Sequence, residues 1–376
     1  MQGCFGKSKS WITLQSGSLM MLATGVRFFF ALSGMDKVDL HAAAREGGFS
    51  AVPPSFLTAE NLKAGNASGN TPLHIAAKYG HLGQLPPALL ITELLLVKND
   101  AGFTPLHLAA RQGTLSQVPT ALLSRECLLV RSNSGLTPLH LAAAAGCLDQ
   151  LPSGMLTMEL VLTKTDTGNT LLHEAAENGS LHSFPPQFLT LSALTSTNIS
   201  GETVLHTAAL NGHLDQIPRE LMVADTLLRK TSNHDTCLHA AAISGHLDQI
   251  PADLLTHENL VLPSKSGHTP IHAAAESGNL SQIPRERLTL DLLISRNDFG
   301  DTPLHAAAVE GHLKDVPREF LNAATLTIRN YTGGTPIGAA IHNGHSNQLP
   351  VEFRPKPPTL VQKILYRTGF SRPPYG

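Results

Sequence analysis

An all-α solenoid of ten helix-turn-helix units joined by short β-hairpin loops is the fold class this sequence predicts. The phrase Thr-Pro-Leu-His, or a close variant, returns every 33 residues from Val38 to Thr335 without insertion or deletion. A glycine and then a proline follow it at fixed offsets in all ten copies. A constant period of this length marks one supersecondary unit that cannot bury its apolar face alone and stacks on copies of itself.

Each element follows from the residues in order, as the copy starting at Thr302 shows. Thr302 suits an N-cap and Pro303 the first helical position, where a missing N–H costs nothing, so a helix is predicted there. The small pair Ala307-Ala308, repeated as Ala76-Ala77, Ala142-Ala143 and Ala274-Ala275, lets neighbouring helices approach closely. Gly311, matched by a glycine in every copy from Gly47 to Gly344, ends the helix in a conformation of positive φ. Pro317 and its equivalents from Pro53 to Pro350 predict the first turn of a short second helix. Further on, a segment such as Thr256-His257-Glu258-Asn259-Leu260 predicts one threonine-capped turn with Leu260 in the core. Asn297-Asp298-Phe299-Gly300 and Asn330-Tyr331-Thr332-Gly333 carry hairpin chemistry, with His234 once replacing the glycine.

The 33-residue period and the T-P-L-H-x-A-A-x-x-G pattern together resemble the ankyrin repeat over residues 38 to about 354. The chain departs from that family in the second half of each copy, where Gln216-Ile217-Pro218, Gln249-Ile250-Pro251 and Gln282-Ile283-Pro284 start a shorter second helix. The resemblance implies a non-enzymatic scaffold or adaptor that binds another protein on a concave face of hairpins and first helices. It also implies that the histidine of the phrase is structural, bonding the threonine and nearby backbone.

Composition narrows the function. Only 15% of residues are charged and the net charge is −2, yet residues 35 to 350 alone carry −9. An acidic array lacks the Lys/Arg stripe that nucleic acid requires, so no nucleic-acid partner is expected. Cys4, Cys127, Cys147 and Cys237 occupy unrelated repeat positions without CxxC spacing, which reads as reduced, cytosolic thiol. Repeat position accounts for most of the 19 histidines. Equivalent histidines about 10 Å apart cannot share a zinc that each must approach to roughly 2.1 Å. His234, Cys237 and His239 have no second ligand pair nearby, and no nucleophile elbow, zincin helix or dinucleotide turn occurs. No metal, cofactor or catalytic site is expected.

Three regions are delimited: residues 1–34, the repeat array 35–354, and a basic tail 355–376. The first has three readings: a mis-assigned start ahead of Met35, a secretory signal cut after Ala31-Leu32-Ser33, or a disordered or capping extension. Its apolar run Leu19 to Leu32 is short and interrupted by Arg27, a poor membrane span. In the tail, Thr359 to Leu365 predicts a short amphipathic helix that either caps the last repeat or docks elsewhere. The end copies depart from the pattern, with Val38 for threonine and Gly338 for histidine, as solubilising ends should.

Positions that vary between copies on a constant scaffold are the candidates for recognition. Just before the threonine the series runs Asn70, Phe103, Leu136, Asn169, Glu202, Asp235, His268, Asp301, from apolar to acidic. These are read as hairpin tips. Phe103 and Leu136, with Tyr79, Leu108 and Leu141 on first helices, form an expected apolar patch. Glu202, Asp235 and Asp301 form a separate acidic stretch, and His268 between them is a further partner-binding candidate. A monomeric cytoplasmic protein with an unidentified protein partner is expected, the alternative being a secreted or host-directed effector.

Overall fold

In a computed structural model the described residues are 11–14, 18–23, 26–31 and 38–355. Cys4, Met35, the cleavage-site reading and the tail helix Thr359 to Leu365 lie outside them. Strands β1 (Trp11–Leu14), β2 (Ser18–Ala23) and β3 (Val26–Ala31) pair as an antiparallel meander, with Met20 opposite Ile12 on one side and Phe29 on the other. The chain divides into two compact units, Met1–Thr167 and Gly168–Gly376.

Ten first helices, from Leu40–Glu46 through Pro72–Tyr79, Pro105–Gln112, Val204–Asn211 and Cys237–Ser244 to Pro336–His342, recur in the predicted frame. The caps are those the sequence implies. Thr203 Oγ1 accepts from the His206 N–H, and Gly212 closes the helix at φ 75°. Within each unit these helices pack side by side through their alanine pairs, and Ala76, Ala77, Ala208, Ala209, Ala307 and Ala308 are wholly buried. A larger side chain there would push two backbones apart, so the pair sets the stacking distance.

The second half of the repeat differs from the expected helix. After the glycine comes a single 3-10 turn such as Leu247–Gln249; the proline then stands in extended conformation, Pro251 having φ −52° and ψ 128°. In most repeats another 3-10 turn follows, here Ala252–Leu254. The residue before a proline is barred from helical ψ by the ring, and Ile250 accordingly sits at ψ 135° with its side chain buried. The proline thus separates two turns instead of opening a helix. What remains of the second helix is the one turn His257–Leu260, capped by Thr256 and burying Leu260 as predicted.

The glutamine ahead of the proline has a task that the phrase Gln-Ile-Pro did not disclose. Gln249 donates through Nε2 to the Gly212 carbonyl (2.7 Å) and accepts at Oε1 from the Leu214 N–H (2.9 Å). Gln282 makes the same pair of bonds one repeat back. Gln117, Gln150, Gln216 and Gln348 make the same carbonyl bond while accepting from the N–H one residue further on, as from Gly83 to Gln117. A primary amide meets one free carbonyl and one free N–H at a helix end, so each glutamine fastens a repeat to its predecessor.

Candidate protein-binding surface

The buried histidines give the surface its framework. In His74, Nδ1 lies 3.1 Å from the Thr71 N–H and 2.8 Å from Thr71 Oγ1, while Nε2 lies 2.9 Å from the Phe103 carbonyl of the next hairpin. Facing an N–H, Nδ1 must accept; facing a carbonyl, Nε2 must donate. Only the neutral ring satisfies both. His107, His206, His239 and His305 repeat the arrangement. Burial holds the pKa of His74, His206 and His305 below the ordinary value and takes His107, His239 and His272 down to about 4. The expected structural role is thus enlarged, since each ring ties its own helix start to the following repeat.

Hairpins are built from Asx geometry. Asn297 Oδ1 accepts from the N–H groups of Phe299 and Asp301, and Gly300, at φ 74°, closes the turn. Successive hairpins meet by one backbone bond, as from the Asp100 N–H to the Ser68 carbonyl or the Tyr331 N–H to the Phe299 carbonyl.

This geometry corrects the position of the expected tips. The residue before the threonine stands at the base of the hairpin, because its carbonyl is held by the preceding histidine. Phe103, Leu136, Glu202, Asp235, His268 and Asp301 are all half-buried there. Phe103 packs edge-on against His107, Glu202 accepts from Asn198, and Asp301 accepts from Asn330. The true tips are the two residues ahead of the glycine. Three carry exposed apolar side chains, Ile199 (73% exposed), Phe299 (64%) and Tyr331 (71%). Sequence reasoning missed them, although a turn centre owes nothing to the core, so an apolar residue there has no packing to explain it.

In the first unit Leu108 and Leu141 occupy the same half-buried position on adjacent packed helices, and Tyr79 is exposed at the end of its helix. In the second unit Leu210 and Ile243 are exposed at one shared position of neighbouring helices. A groove of about 430 Å³ there is lined by His268, Glu276, Asp301, Ala306, Glu310 and Ala339 among others. His268 Nε2 stands 3.2 Å from Glu276 Oε2. Burial raises the Asp235 carboxyl above the usual range.

The remaining candidates for chemistry do not converge. Cys237 is fully buried, and burial raises its thiol pKa; His239 is committed to Thr236 and the His268 carbonyl, whereas His234 is exposed. Burial pushes the Cys147 thiol up to about 11. Among the described residues, no helix is long and apolar enough to cross a membrane.

Stacked helical units with a repeated buried framework and a variable outer face define an α-solenoid repeat protein. The chain contains ankyrin repeats: a family model of three ankyrin repeats matches residues 87–152, and the single ankyrin repeat matches residues 68–101 and 299–331. Ankyrin repeats generally mediate protein–protein interaction. No curated protein matches the chain.

Proposed function

We propose that this chain is a non-enzymatic scaffold or adaptor whose hairpin and first-helix face binds a protein partner. One observation carries the reading: residues that hold the repeats together recur from copy to copy, while those left on that face change in bulk and charge. Such division of labour is what a recognition surface requires and what packing alone does not. Tyr79, Phe103, Leu108, Leu136 and Leu141 supply apolar contact in the first unit, and Glu202, Asp235, His268 and Asp301 supply polar contact in the second. The protein acts as a monomer in the cytoplasm, in keeping with the buried unpaired thiols Cys127, Cys147 and Cys237.

The test is affinity capture from source-cell lysate with the full chain beside its Phe103→Ala/Leu136→Ala variant, identified by mass spectrometry. Partners lost only with the variant support the first-unit site, whereas identical lists exclude it. Because Phe103 is half-buried against His107, the single change Phe103→Ala should cost only about 1 kcal/mol of stability. A chain that unfolds on that change would show Phe103 to be core.

A further inference from the structure

We propose that the groove over the last repeats of the second unit receives an extended peptide by one of its lysine or arginine side chains. The inference rests on the protein-recognition reading and adds the chemistry of the partner.

Shape comes first. The groove floor is Ala306, Gly338 and Ala339, residues too small to fill it, with Val309 exposed beside them. Gly338 stands where nine earlier copies have the phrase histidine. Ala240, half-buried, and Ala273, buried, hold the same small position on the two preceding helices without themselves lining the groove, and Ile243 is exposed on the first of them. The channel therefore suits a chain in extended form, advancing about 3.3 Å per residue over helices spaced roughly 10 Å apart.

Charge comes second. Glu276, Asp301 and Glu310 line the groove and no lysine or arginine does. His305 is held neutral by the bonds described above, His268 Nε2 stands beside Glu276 with its ring against His272, and His342 also lines the groove. Glu310 makes no ion pair among the described residues.

Placement is the third observation. Glu276 and Glu310 are the last residues of Pro270–Glu276 and Pro303–Glu310, the helix ends where the macrodipole disfavours an anion. In the first unit Lys78 and Arg111 stand in the corresponding last turns of two helices, although Leu40–Glu46 also ends on a glutamate, beside Arg45. Glu310, set against its own helix, gains from an arriving cation what the fold does not give it, and Glu276 has only the His268 ring beside it. Three carboxylates around an apolar floor match a basic head on an aliphatic stem, which is a lysine or arginine side chain.

The experiment uses the labelled full chain on immobilised heptapeptide mixtures, each with one amino acid fixed at the centre. Mixtures fixed as arginine or lysine should retain the chain well above those fixed as aspartate, glutamate or leucine. Against a peptide selected this way, Glu276→Gln/Glu310→Gln should weaken binding about tenfold, and raising salt should weaken the wild type likewise. Ala306→Leu should abolish it without unfolding, since Leu108 and Leu141 already occupy that repeat position elsewhere; circular dichroism checks the fold. Selection of acidic or apolar centres, binding untouched by Ala306→Leu, or no selection at all would overturn the inference. A chain that still captures a lysate partner after such a failure loses only the basic-peptide proposal, whereas peptide selection without lysate capture removes the first-unit site instead.

Discussion

On the first helices of the second to fourth repeats, the fourth residue after the threonine is Ile75, Leu108 or Leu141; in the sixth to tenth it is Thr207, Ala240, Ala273, Ala306 or Ala339. Bulky residues stand at this position in one region and small ones in the other, half-buried at Leu108, Leu141, Ala240, Ala306 and Ala339 and buried at Ile75 and Ala273. At the hairpin base the change runs alongside, from Asn70, Phe103 and Leu136 to Glu202, Asp235, His268 and Asp301. Beneath both, the threonine–histidine and glutamine bonds are the same. Recognition chemistry has changed at positions that the stacking bonds leave free, so one scaffold presents two kinds of surface.

The largest expected effect is that of acid. A buried histidine that stays neutral down to about 4 in the fold, as His107, His239 and His272 do, takes a proton near 6.5 once unfolded. Between those values the unfolded chain binds more protons, so stability is full above about 6.5 and falls as the pH drops toward 4. Each such ring contributes about 1–3 kcal/mol. The second unit holds His206, His239, His272 and His305 against His74 and His107 in the first, so the second unit should lose hydrogen-exchange protection first on acidification from pH 7 to 4.5. Simultaneous loss in both units would break this part of the comparison.

Next in size is the helix-ending glycine. A Cβ on Gly212 would lie 2.6 Å from the His246 ring at φ 75°, whereas one on Gly113 would meet nothing closer than Cys147 Cβ at 3.9 Å. Gly212→Val should therefore cost about 3 kcal/mol and Gly113→Val about 1–2 kcal/mol by urea unfolding. Equal losses would mean that the His246 ring moves aside.

The glutamine bridges predict sameness where the glycines predict difference. Gln249→Ala in the second unit and Gln117→Ala in the first should each cost about 1–2 kcal/mol, since each leaves one carbonyl and one N–H at a helix end without its partner. A gap between the two would show that the scaffold is not shared to that depth.

The smallest effect belongs to His234, the one non-glycine residue with positive φ (65°) among those described. His234→Gly should stabilise the second unit by about 1 kcal/mol in thermal or urea unfolding. The first unit offers no such gain, because Gly69, Gly102 and Gly135 already hold the equivalent turns. A loss of stability instead would assign the imidazole a contact of its own.

Much of this was legible in the residues. The first helix, its threonine cap, the αL glycine, the buried alanine pair and the Thr256-type turn all follow from local chemistry that acts within a few residues. The second helix was misread because proline is compatible with both a helix start and an extended break; the buried Ile250-type residue before it chooses between them. The recognition surface was half legible. Variation between copies marked Phe103, Leu136 and Asp301, but it could not say that their carbonyls are claimed by histidines and that their side chains stand at the hairpin base.

By itself the sequence determined the period and the helix limits, because caps, propensity and repetition are local or self-referential. The neutral state of the phrase histidine follows instead from the carbonyl of the next repeat that its Nε2 meets. Only the tertiary structure decided that glutamine fastens one repeat to the last, that Ile199, Phe299 and Tyr331 stand exposed at hairpin tips, and that the small residues of the last repeats leave a groove edged by Glu276, Asp301 and Glu310. Those outcomes depend on residues about one repeat apart meeting across packed helices, and a one-dimensional pattern carries the spacing of such residues but not the side on which they meet.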